Sequence, residues 1–304
     1  MSVRHRILVT GGAGQVGLEL ARTAWPADVE VVRPSRSELD VVSPGDVDAF
    51  LQRGDWAAVV NCAAWTAVDL AEEHVSDAFL ANAQGPANLA EAAHRIGVPI
   101  IHISTDYVFD GTLDRPYKET DPVAPLGAYG ASKLAGELAV RCANPRSVIL
   151  RTAWVLSAHR ANFLKTMLRI GAVQSEIRVV ADQYGCPTCA SDIAAVVAKI
   201  TMRLIEDHAA PTGTYHFVNA GEASWHELAS AIFDAAAPLG GPNPLVTPIA
   251  ASDYPTRARR PANSRLDTDK LTADFRIEPR PWLLGVAEIV TELASLDQCK
   301  GTGV

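Results

Sequence analysis

Short apolar runs alternate with alanine-rich amphipathic segments through the first half of the chain. The apolar runs lie in RILVTG, VEVVR, AAVVNCAA, PIIHIST and SVILRTAW, and the segments with helical periodicity between them are 15–25, 44–53, 71–96 and 129–142. Strands separated by helices of this length form βαβ units with right-handed crossovers. The pattern predicts an α/β fold of the Rossmann-like, doubly wound type, in which helices cover both faces of a parallel sheet.

The alternation becomes less regular after Trp154. Helical patterns in NFLKTMLRIG, SDIAAVVAKITMRLIE and SWHELASAIFDAA are mixed with the strand-like IRVVADQYG and TYHFVN, and a last helix is expected near 282–295. We predict a first domain over 1–155, completed by elements within about 190–233. A smaller, irregular α/β lobe is predicted over 156–304.

A glycine-rich loop follows the first strand-like run directly. In LVTGGAGQVG, Gly11, Gly14 and Gly17 form a GxxGxxG arrangement between a predicted strand and a predicted helix. Glycine permits the tight turn and a close approach of the backbone, while the N–H groups at the start of the helix favour phosphate. The loop predicts that 1–155 is a dinucleotide-binding domain.

The tip of the second strand bears on which dinucleotide binds. An acidic residue there holds the ribose hydroxyls of NAD, whereas this tip reads VVRPSRS and offers Ser35 and Arg36. A guanidinium suits the 2′-phosphate of NADP. We therefore expect NADPH to be preferred, and an Arg36 side chain that faces water would leave NADH as the alternative.

Composition excludes several classes of partner. The chain has 304 residues, with 35 acidic against 27 basic side chains and a net charge of −8, which predicts neither nucleic acid nor an anionic membrane as partner. No apolar run approaches the roughly 20 residues that span a bilayer. Five cysteines, an odd number, suit a reducing compartment, so a cytoplasmic location is predicted. Cys186 and Cys189 form a CxxC without a second pair to complete a zinc site, which leaves a redox role open.

The candidate catalytic residues come from two segments. IIHISTDYVFDG is an apolar strand that ends in Ser104 and Thr105, and AYGASKLAGE places Tyr129 and Lys133 one helical turn apart on the same face. Reducing a ketone requires a proton for the oxygen, and a phenol with a pKa of about 10 is a poor donor at neutral pH. An ammonium about 5 Å away would lower that pKa by roughly two. We predict Thr105, Tyr129 and Lys133 as the catalytic set, with Thr105 holding the carbonyl oxygen.

The chain resembles the extended short-chain dehydrogenases/reductases and, within them, the dTDP-4-dehydrorhamnose reductases. The stretches that carry the resemblance span nearly the whole chain and include TGGAGQVG, VVNCAAWTAVDLAE, STDYVFDG, YGASKLAGE, RTAWV and RRPANSRLDTDKL. The resemblance implies NAD(P)H-dependent reduction of a dTDP-4-keto-6-deoxy-L-sugar, dTDP-4-dehydro-β-L-rhamnose, to dTDP-β-L-rhamnose. This is the last step of dTDP-rhamnose synthesis, and a homodimer is the expected assembly.

The resemblance also implies roles for single residues. On the cofactor side these are Gln15 and Val16 at the phosphates, Asp40 and Val41 at the adenosine, Ala63, Ala64, Trp65 and Thr66 beside the nicotinamide, and Tyr129 and Lys133 at its ribose. On the substrate side they are Val68, Ser104, Thr105, Trp154, Gln183 and Arg260. Asp40 could instead stabilise a turn before the next helix, and Trp154 could instead fill the core.

Magnesium is left open by the same resemblance. Some members bind Mg²⁺ through glutamates at a dimer interface, and Glu19 matches one ligand position. Ser191 stands where another acidic ligand would be expected. The metal is therefore uncertain in this chain.

Two other functions are compatible with these motifs. One is a different nucleotide-sugar 4-ketoreductase or an epimerase of the same fold, and the other is a non-catalytic, dinucleotide-binding regulatory subunit. An epimerase would purify with tightly bound NAD⁺, whereas a reductase would turn over free NAD(P)H. A regulatory subunit can lose catalytic residues, but this chain retains all three.

Overall fold

The structure is a computed structural model that describes residues 5–301. The strands in this range are β1 His5–Thr10, β2 Val29–Val32, β3 Trp56–Asn61, β4 Ile100–Thr105, β5 Ser147–Thr152, β6 Val155–Leu156, β7 Glu176–Val180, β8 Tyr184–Gly185, β9 Thr188–Cys189, β10 Gly213–His216, β11 Ala223–Ser224 and β12 Leu245–Ile249. The α-helices are α1 Gln15–Arg22, α2 Pro44–Gln52, α3 Val68–Ala71, α4 Val75–Phe79, α5 Gly85–Arg95, α6 Ala128–Ala143, α7 Phe163–Gly171, α8 Ala190–Glu206, α9 Trp225–Ala236, α10 Asp269–Phe275 and α11 Trp282–Gly301.

Six strands form one parallel sheet in the order β10-β5-β4-β3-β1-β2. The chain adds β2 on one side of β1 and then returns to place β3 on the other side, so the direction of winding reverses between β1 and β3. Ligands of open α/β sheets bind at such a reversal, outside the carboxyl ends of the strands. The predicted Rossmann-like, doubly wound sheet is confirmed. A ligand-binding site is expected at its carboxyl edge, near the ends of β1 and β3.

Helices cover both faces of this sheet because its strands are apolar on both sides. Ile7 and Val9 of β1 belong to the core that α1 and α8 complete, whereas Leu8 between them belongs to the core under α2 and α5. This alternation follows from the period of two in a strand. α8 also packs against α1, and β10 pairs with β5, so both elements join the layers of the main sheet.

The segment 71–96 is not the single helix that its periodicity predicts. It is divided among α3, α4, a π-helical turn over Leu80–Gln84, and α5. Pro86 has no N–H to donate to the carbonyl of Asn82, so a regular α-helix cannot continue through this point. The interruption leaves the side chain of Asn82 free to bind the backbone of Trp65.

A second core lies between α7, α9, α11 and the parallel pair of β7 and β12. The predicted strand IRVVADQYG forms two separate strands, β7 and β8, which pair with different partners. The predicted boundaries of 1–155 and 156–304 remain a prediction. Within the described part of the chain, no helix is long and apolar enough to cross a membrane.

Candidate active site

The glycine-rich loop joins β1 to α1 directly beside the end of β3. Gly11 has a φ of 68°, and a Cβ at this residue would lie 2.5 Å from the backbone nitrogen of Ala63. A Cβ at Gly17 would lie 2.4 Å from the carbonyl oxygen of Gly11. The Gly14 N–H donates to that same oxygen at 2.9 Å, and Gly14 is the N-cap of α1. The glycines therefore allow β1, β3 and α1 to pack closely around the loop, and the first N–H groups of α1, those of Gln15 and Val16, are the ones a diphosphate would meet there.

Arg33, rather than the predicted Arg36, lies against this loop. A Cβ at Gly12 would lie 2.7 Å from the Cβ of Arg33, and the Arg33 Nη1 donates to the Gly12 carbonyl oxygen at 3.1 Å. Arg36 is exposed three residues farther on. Glu38, a carboxylate that the sequence interpretation overlooked, accepts a hydrogen bond from the N–H of Ser35 at 2.7 Å.

Asp40 and Val41 lie in the turn before α2. The Asp40 carboxylate accepts from the N–H of Val42 at 3.1 Å, which is the turn-stabilising alternative considered for this residue. Val41 packs beside Gly85, where a Cβ would come within 2.9 Å of its Cγ2. The carbonyl oxygen of Val41 accepts from Asn88 Nδ2 at 3.0 Å, so the backbone of this turn is fixed to α5.

The predicted nicotinamide segment follows β3 at the carboxyl edge. Asn82 holds it by both atoms of its amide, accepting from the Trp65 N–H at 2.8 Å and donating to the Trp65 carbonyl at 3.1 Å. Ala64 and Thr66 are exposed on this segment. Val68 begins α3 directly after it.

Thr105 and Ser104 end β4 but face opposite ways. The Thr105 hydroxyl donates to the Asp106 carboxylate at 2.9 Å and accepts from the Tyr107 N–H at 3.2 Å, so it caps the short turn over Asp106–Val108. The Ser104 hydroxyl donates instead to Glu137 in the protein interior. This contradicts the predicted substrate contact for Ser104, because neighbouring strand residues point to opposite faces of the sheet.

Tyr129 lies in the first turn of α6, close to the end of β4. The small residues of AYGASKLAGE permit this approach, since a Cβ at Gly130 would lie 2.1 Å from the Tyr107 carbonyl oxygen. The rings of Tyr129 and Tyr107 meet edge to face at 5.5 Å. Burial raises the pKa of Tyr129 to about 12, Thr105 opposes this by hydrogen bonding, and the charge of Asp106 adds to it.

Lys133 is buried one turn farther along α6, with 2% of its surface exposed. Its Nζ donates to the Ile103 carbonyl oxygen at 2.7 Å and lies 3.3 Å from Nε2 of His102. Burial lowers the pKa of Lys133 to about 8, while the charges of Glu137 and Cys62 oppose the change. In this structure burial sets the pKa of Tyr129 at about 12 rather than near neutrality, and the catalytic roles of Tyr129 and Lys133 stay a prediction. The two residues do share one helix and one region, as their spacing predicts.

Asp106 is a site residue that the sequence interpretation missed. It is 3% exposed, follows Thr105 directly, and its Oδ2 has no hydrogen-bond partner among the described residues. Burial raises the pKa of Asp106 to about 6, although hydrogen bonds from Thr105 and Ser264 act against this. The sequence could have indicated this residue, because Asp106 directly follows the predicted Thr105 within STDYVFDG.

Trp154 follows β5 with a φ of 45°, which is unusual for a residue with a side chain. Its indole stacks on Trp225 at 3.5 Å with the planes 7° apart. A Cβ at Gly185 would lie 2.4 Å from this indole, so glycine is required where β8 passes it. The stack joins the edge of the sheet to the second lobe, and Trp225 had no sequence signal of its own.

Arg260 connects the loop 251–265 to α3. Its Nη2 donates to Asp69 at 2.8 Å, and the Ala258 N–H donates to the same carboxylate at 3.0 Å. A diphosphate at Arg260 would therefore compete with Asp69. Gln183 is half-buried between β7 and β8.

The candidate magnesium position is occupied by an ion-pair cluster. Glu19 lies 3.6 Å from Arg22 and 3.4 Å from His159, and Arg22 is also paired with Glu292 at 2.7 Å. Among the described residues, no group of three or more His, Cys, Asp or Glu side chains could hold a metal ion.

Cys186 and Cys189 are both buried free thiols. Burial raises the pKa of Cys186 to about 11 and that of Cys189 to about 12. The thiolate is the reactive form of cysteine, so these environments do not suit a redox pair.

The chain matches a family model described as the RmlD substrate binding domain over residues 5–295. A dTDP-4-dehydrorhamnose reductase of Sinorhizobium fredii is 45% identical over 91% of this chain and 94% of its own length. The crystal structure of a dTDP-4-dehydrorhamnose reductase from Clostridium acetobutylicum has a TM-score of 0.88 at 38% identity and covers 95% of this chain and 99% of that one. This chain belongs to the dTDP-4-dehydrorhamnose reductase family.

A second solved member of the dTDP-4-dehydrorhamnose reductase family was crystallised with NADP. This protein, from Bacillus anthracis, has a TM-score of 0.88 at 33% identity and covers 95% of this chain and 99% of its own. The similarity extends over nearly the whole chain. The match to solved members of this family therefore includes the irregular second half of the chain as well as the six-stranded sheet.

Proposed function

We propose that this protein reduces the 4-keto group of dTDP-4-dehydro-β-L-rhamnose with NADPH and releases dTDP-β-L-rhamnose. The observation that carries the proposal is the placement of Thr105, Tyr129 and Lys133 at the carboxyl edge of the sheet, in a chain of this family. Family membership supports the substrate, and the side chains support the reaction. The division into a dinucleotide-binding domain and a substrate-binding lobe is part of the same proposal.

The loop beside β3 suits a dinucleotide because its glycines let β1, β3 and α1 pack closely and Gly14 is the N-cap of α1, whose first N–H groups favour a diphosphate. A bound reduced nicotinamide supplies the hydride. Arg33 supports the choice of NADPH, since its guanidinium is held over the loop by Gly12. We assign to Arg33 the role at the 2′-phosphate that the sequence suggested for Arg36.

Tyr129 donates the proton to the ketone oxygen in this proposal. With a pKa of about 12, Tyr129 is protonated at neutral pH, which is the form that a donor needs. Donation creates a phenolate, and the Lys133 ammonium on the same helix stabilises that charge. Thr105 is proposed to orient the carbonyl oxygen by turning its O–H from Asp106 to the ketone, since its hydroxyl lies at the end of β4 beside Tyr129.

The substrate side is proposed to use Trp154, Val68, Gln183 and Arg260. The Trp154 indole is held between the Trp225 ring and Gly185 of β8, and its remaining exposed part is proposed to contact the sugar ring. Arg260 is proposed to exchange Asp69 for the nucleotide diphosphate, to which a guanidinium binds in a bidentate manner. Glu19 is already paired with Arg22, so a Mg²⁺ ion at Glu19 would have to displace this guanidinium.

The direct test is to incubate the protein with dTDP-4-dehydro-β-L-rhamnose and NADPH. Loss of nicotinamide absorbance is expected, together with an NMR spectrum of dTDP-β-L-rhamnose. Unchanged absorbance with verified substrate would overturn the proposal and favour a regulatory subunit. Tightly held NAD⁺ in the purified protein, with no net oxidation of NADPH, would instead indicate an epimerase.

The location and assembly belong to the proposal as well. The described side chains of Cys62, Cys142, Cys186 and Cys189 are free thiols, which supports a reducing compartment such as the cytoplasm. A homodimer is proposed on the resemblance, and sedimentation of the purified protein tests it.

A further inference from the structure

A buried chain of polar side chains leads from Thr10, at the end of β1, to Lys133 in α6. The Thr10 hydroxyl donates to Asn61 Oδ1 at 2.7 Å, and Asn61 Nδ2 lies 3.0 Å from Nδ1 of His102. His102 Nε2 then lies 3.3 Å from Lys133 Nζ. Each of these four side chains is at most 2% exposed, so each hydrogen bond is formed away from water.

The orientation of the Asn61 amide follows from its neighbours. The N–H of Ala63 donates to Asn61 Oδ1 at 3.0 Å, and a backbone N–H has no other role available to it. The atom that faces Ala63 must therefore be the amide oxygen. The NH₂ group of Asn61 then faces His102, where it can only donate.

This orientation fixes the tautomer of His102. An imidazole whose Nδ1 accepts a hydrogen bond and which is neutral carries its proton on Nε2. Burial and the charge of Lys133 hold the pKa of His102 well below its usual value, so the ring is neutral. Its Nε2–H therefore points at Lys133 Nζ. An ammonium has no lone pair to accept that hydrogen, whereas a neutral amine does.

We propose that His102 acts through Lys133, as a positioning residue for its proton, and sets the pH above which Lys133 loses its positive charge. The proposal rests on the proposed reduction only for the consequence that this pH is also the upper limit of activity. The Ile103 carbonyl accepts from Lys133 Nζ in either charge state, so it holds the side chain in place while the charge changes. His102 thus contributes to the choice between amine and ammonium, and Ile103 to the position.

The other charged groups around Lys133 favour the ammonium. Glu137, one turn farther along α6, raises the pKa of Lys133, and Cys62, after β3, does so only as a thiolate, although burial raises its own pKa to about 12. Glu137 is itself neutralised by Arg151 of β5 through contacts of 2.9 and 2.7 Å, which weakens its effect. Asp106, in the turn after β4, acts on Tyr129. The pKa of about 8 for Lys133 is the balance of these groups against burial.

Two substitutions reverse the hydrogen bond to Lys133. His102→Gln offers an amide oxygen that accepts from the ammonium without adding charge. Asn61→Asp keeps the side-chain shape and accepts from His102 Nδ1–H, which transfers the acceptor role to Nε2. Both should raise the midpoint at which Lys133 loses its proton, by about one pH unit or more. His208→Gln, an exposed histidine after α8, is the matched control and should leave the midpoint unchanged.

The readout that does not depend on activity is NMR of the free protein. The ¹⁵N shifts of the His102 imidazole should report a neutral Nε2–H tautomer, and the Lys133 Cε signal should titrate later in both variants than in the parent protein. An Nδ1–H tautomer, or an unchanged Lys133 midpoint in both variants, would overturn the proposal. Because Asn61→Asp also adds a negative charge that favours the ammonium by itself, the parent tautomer decides the question if His102→Gln does not fold.

The pH profile of kcat/KM links this chemistry to the reaction. We expect the alkaline limb of NADPH-dependent reduction to move upward in both variants and to stay in place for His208→Gln. A protein that reduces no sugar nucleotide but shows the NMR shifts would refute the proposed function and leave the role of His102 intact. An alkaline limb that stays in place while the Lys133 midpoint moves would refute the link between them.

Discussion

Replacing Arg33 by alanine should lower kcat/KM for NADPH by roughly 10- to 30-fold and leave kcat/KM for NADH within about twofold. The 2′-phosphate carries two negative charges, and a guanidinium about 5 Å away at an exposed site with an effective dielectric near 60 to 80 contributes about 2 kcal/mol. Little of this is lost to ordering, because the Arg33 stem already packs on Gly12 and its Nη1 is bound to the Gly12 carbonyl. NADH lacks the 2′-phosphate, so its kcat/KM should not depend on Arg33.

Arg36→Ala is the matched control, since it removes the same charge three residues away. We expect this variant to change the ratio of the two kcat/KM values by less than about threefold, because an exposed and unrestrained side chain contributes little. Initial rates with NADPH and NADH at low ionic strength, and again at high salt, provide the measurement. Equal losses with both cofactors in Arg33→Ala, or a larger change of the ratio in Arg36→Ala, would refute the assignment.

Tyr129→Phe should reduce kcat by about 10²- to 10⁴-fold and keep the affinity for NADPH measured by fluorescence titration, because only the proton donor is removed; a loss under tenfold would exclude Tyr129 as the donor. Arg151→Met should lower the free energy of unfolding by about 3–5 kcal/mol in urea titrations, because it leaves Glu137 buried and unpaired. Glu137→Leu in the same chain should recover part of this loss, and no recovery would contradict the ion-pair explanation. Burial lowers the pKa of His216 to about 3, below its unfolded value, so its contribution is constant above about pH 6.5 and falls by about 1.4 kcal/mol per pH unit on acidification. The difference in stability between pH 7 and pH 5 should therefore shrink by about 2 kcal/mol in His216→Gln, and an unchanged difference would exclude this residue as its source.

The sequence predicts the sheet correctly because the signals for strands and helices are local, and its placement of the site stays a prediction. The alternation of strands and helices depends on periods of 2.0 and 3.6 residues, which are visible in any window of the chain. Gly11 lies in the turn after β1 and Gly17 in α1 where the helix packs on that turn, and a Cβ at either position would clash with the backbone, so the glycine spacing already indicates this loop. The four-residue spacing of Tyr129 and Lys133 places both on one face of α6, and the helix is observed over Ala128–Ala143.

Side-chain direction and protonation depend on contacts between distant parts of the chain. Arg33 and Arg36 are equivalent candidates in the sequence, and only the packing on Gly12, 21 residues earlier, distinguishes them. The ammonium of Lys133 was expected to act on Tyr129, but its Nζ is held by the carbonyl of Ile103, 30 residues away. The spacing along α6 gives only the distance between the Tyr129 and Lys133 side chains. Whether each side chain is charged depends on its burial and on hydrogen bonds from neighbouring strands, which exist only once the sheet has formed.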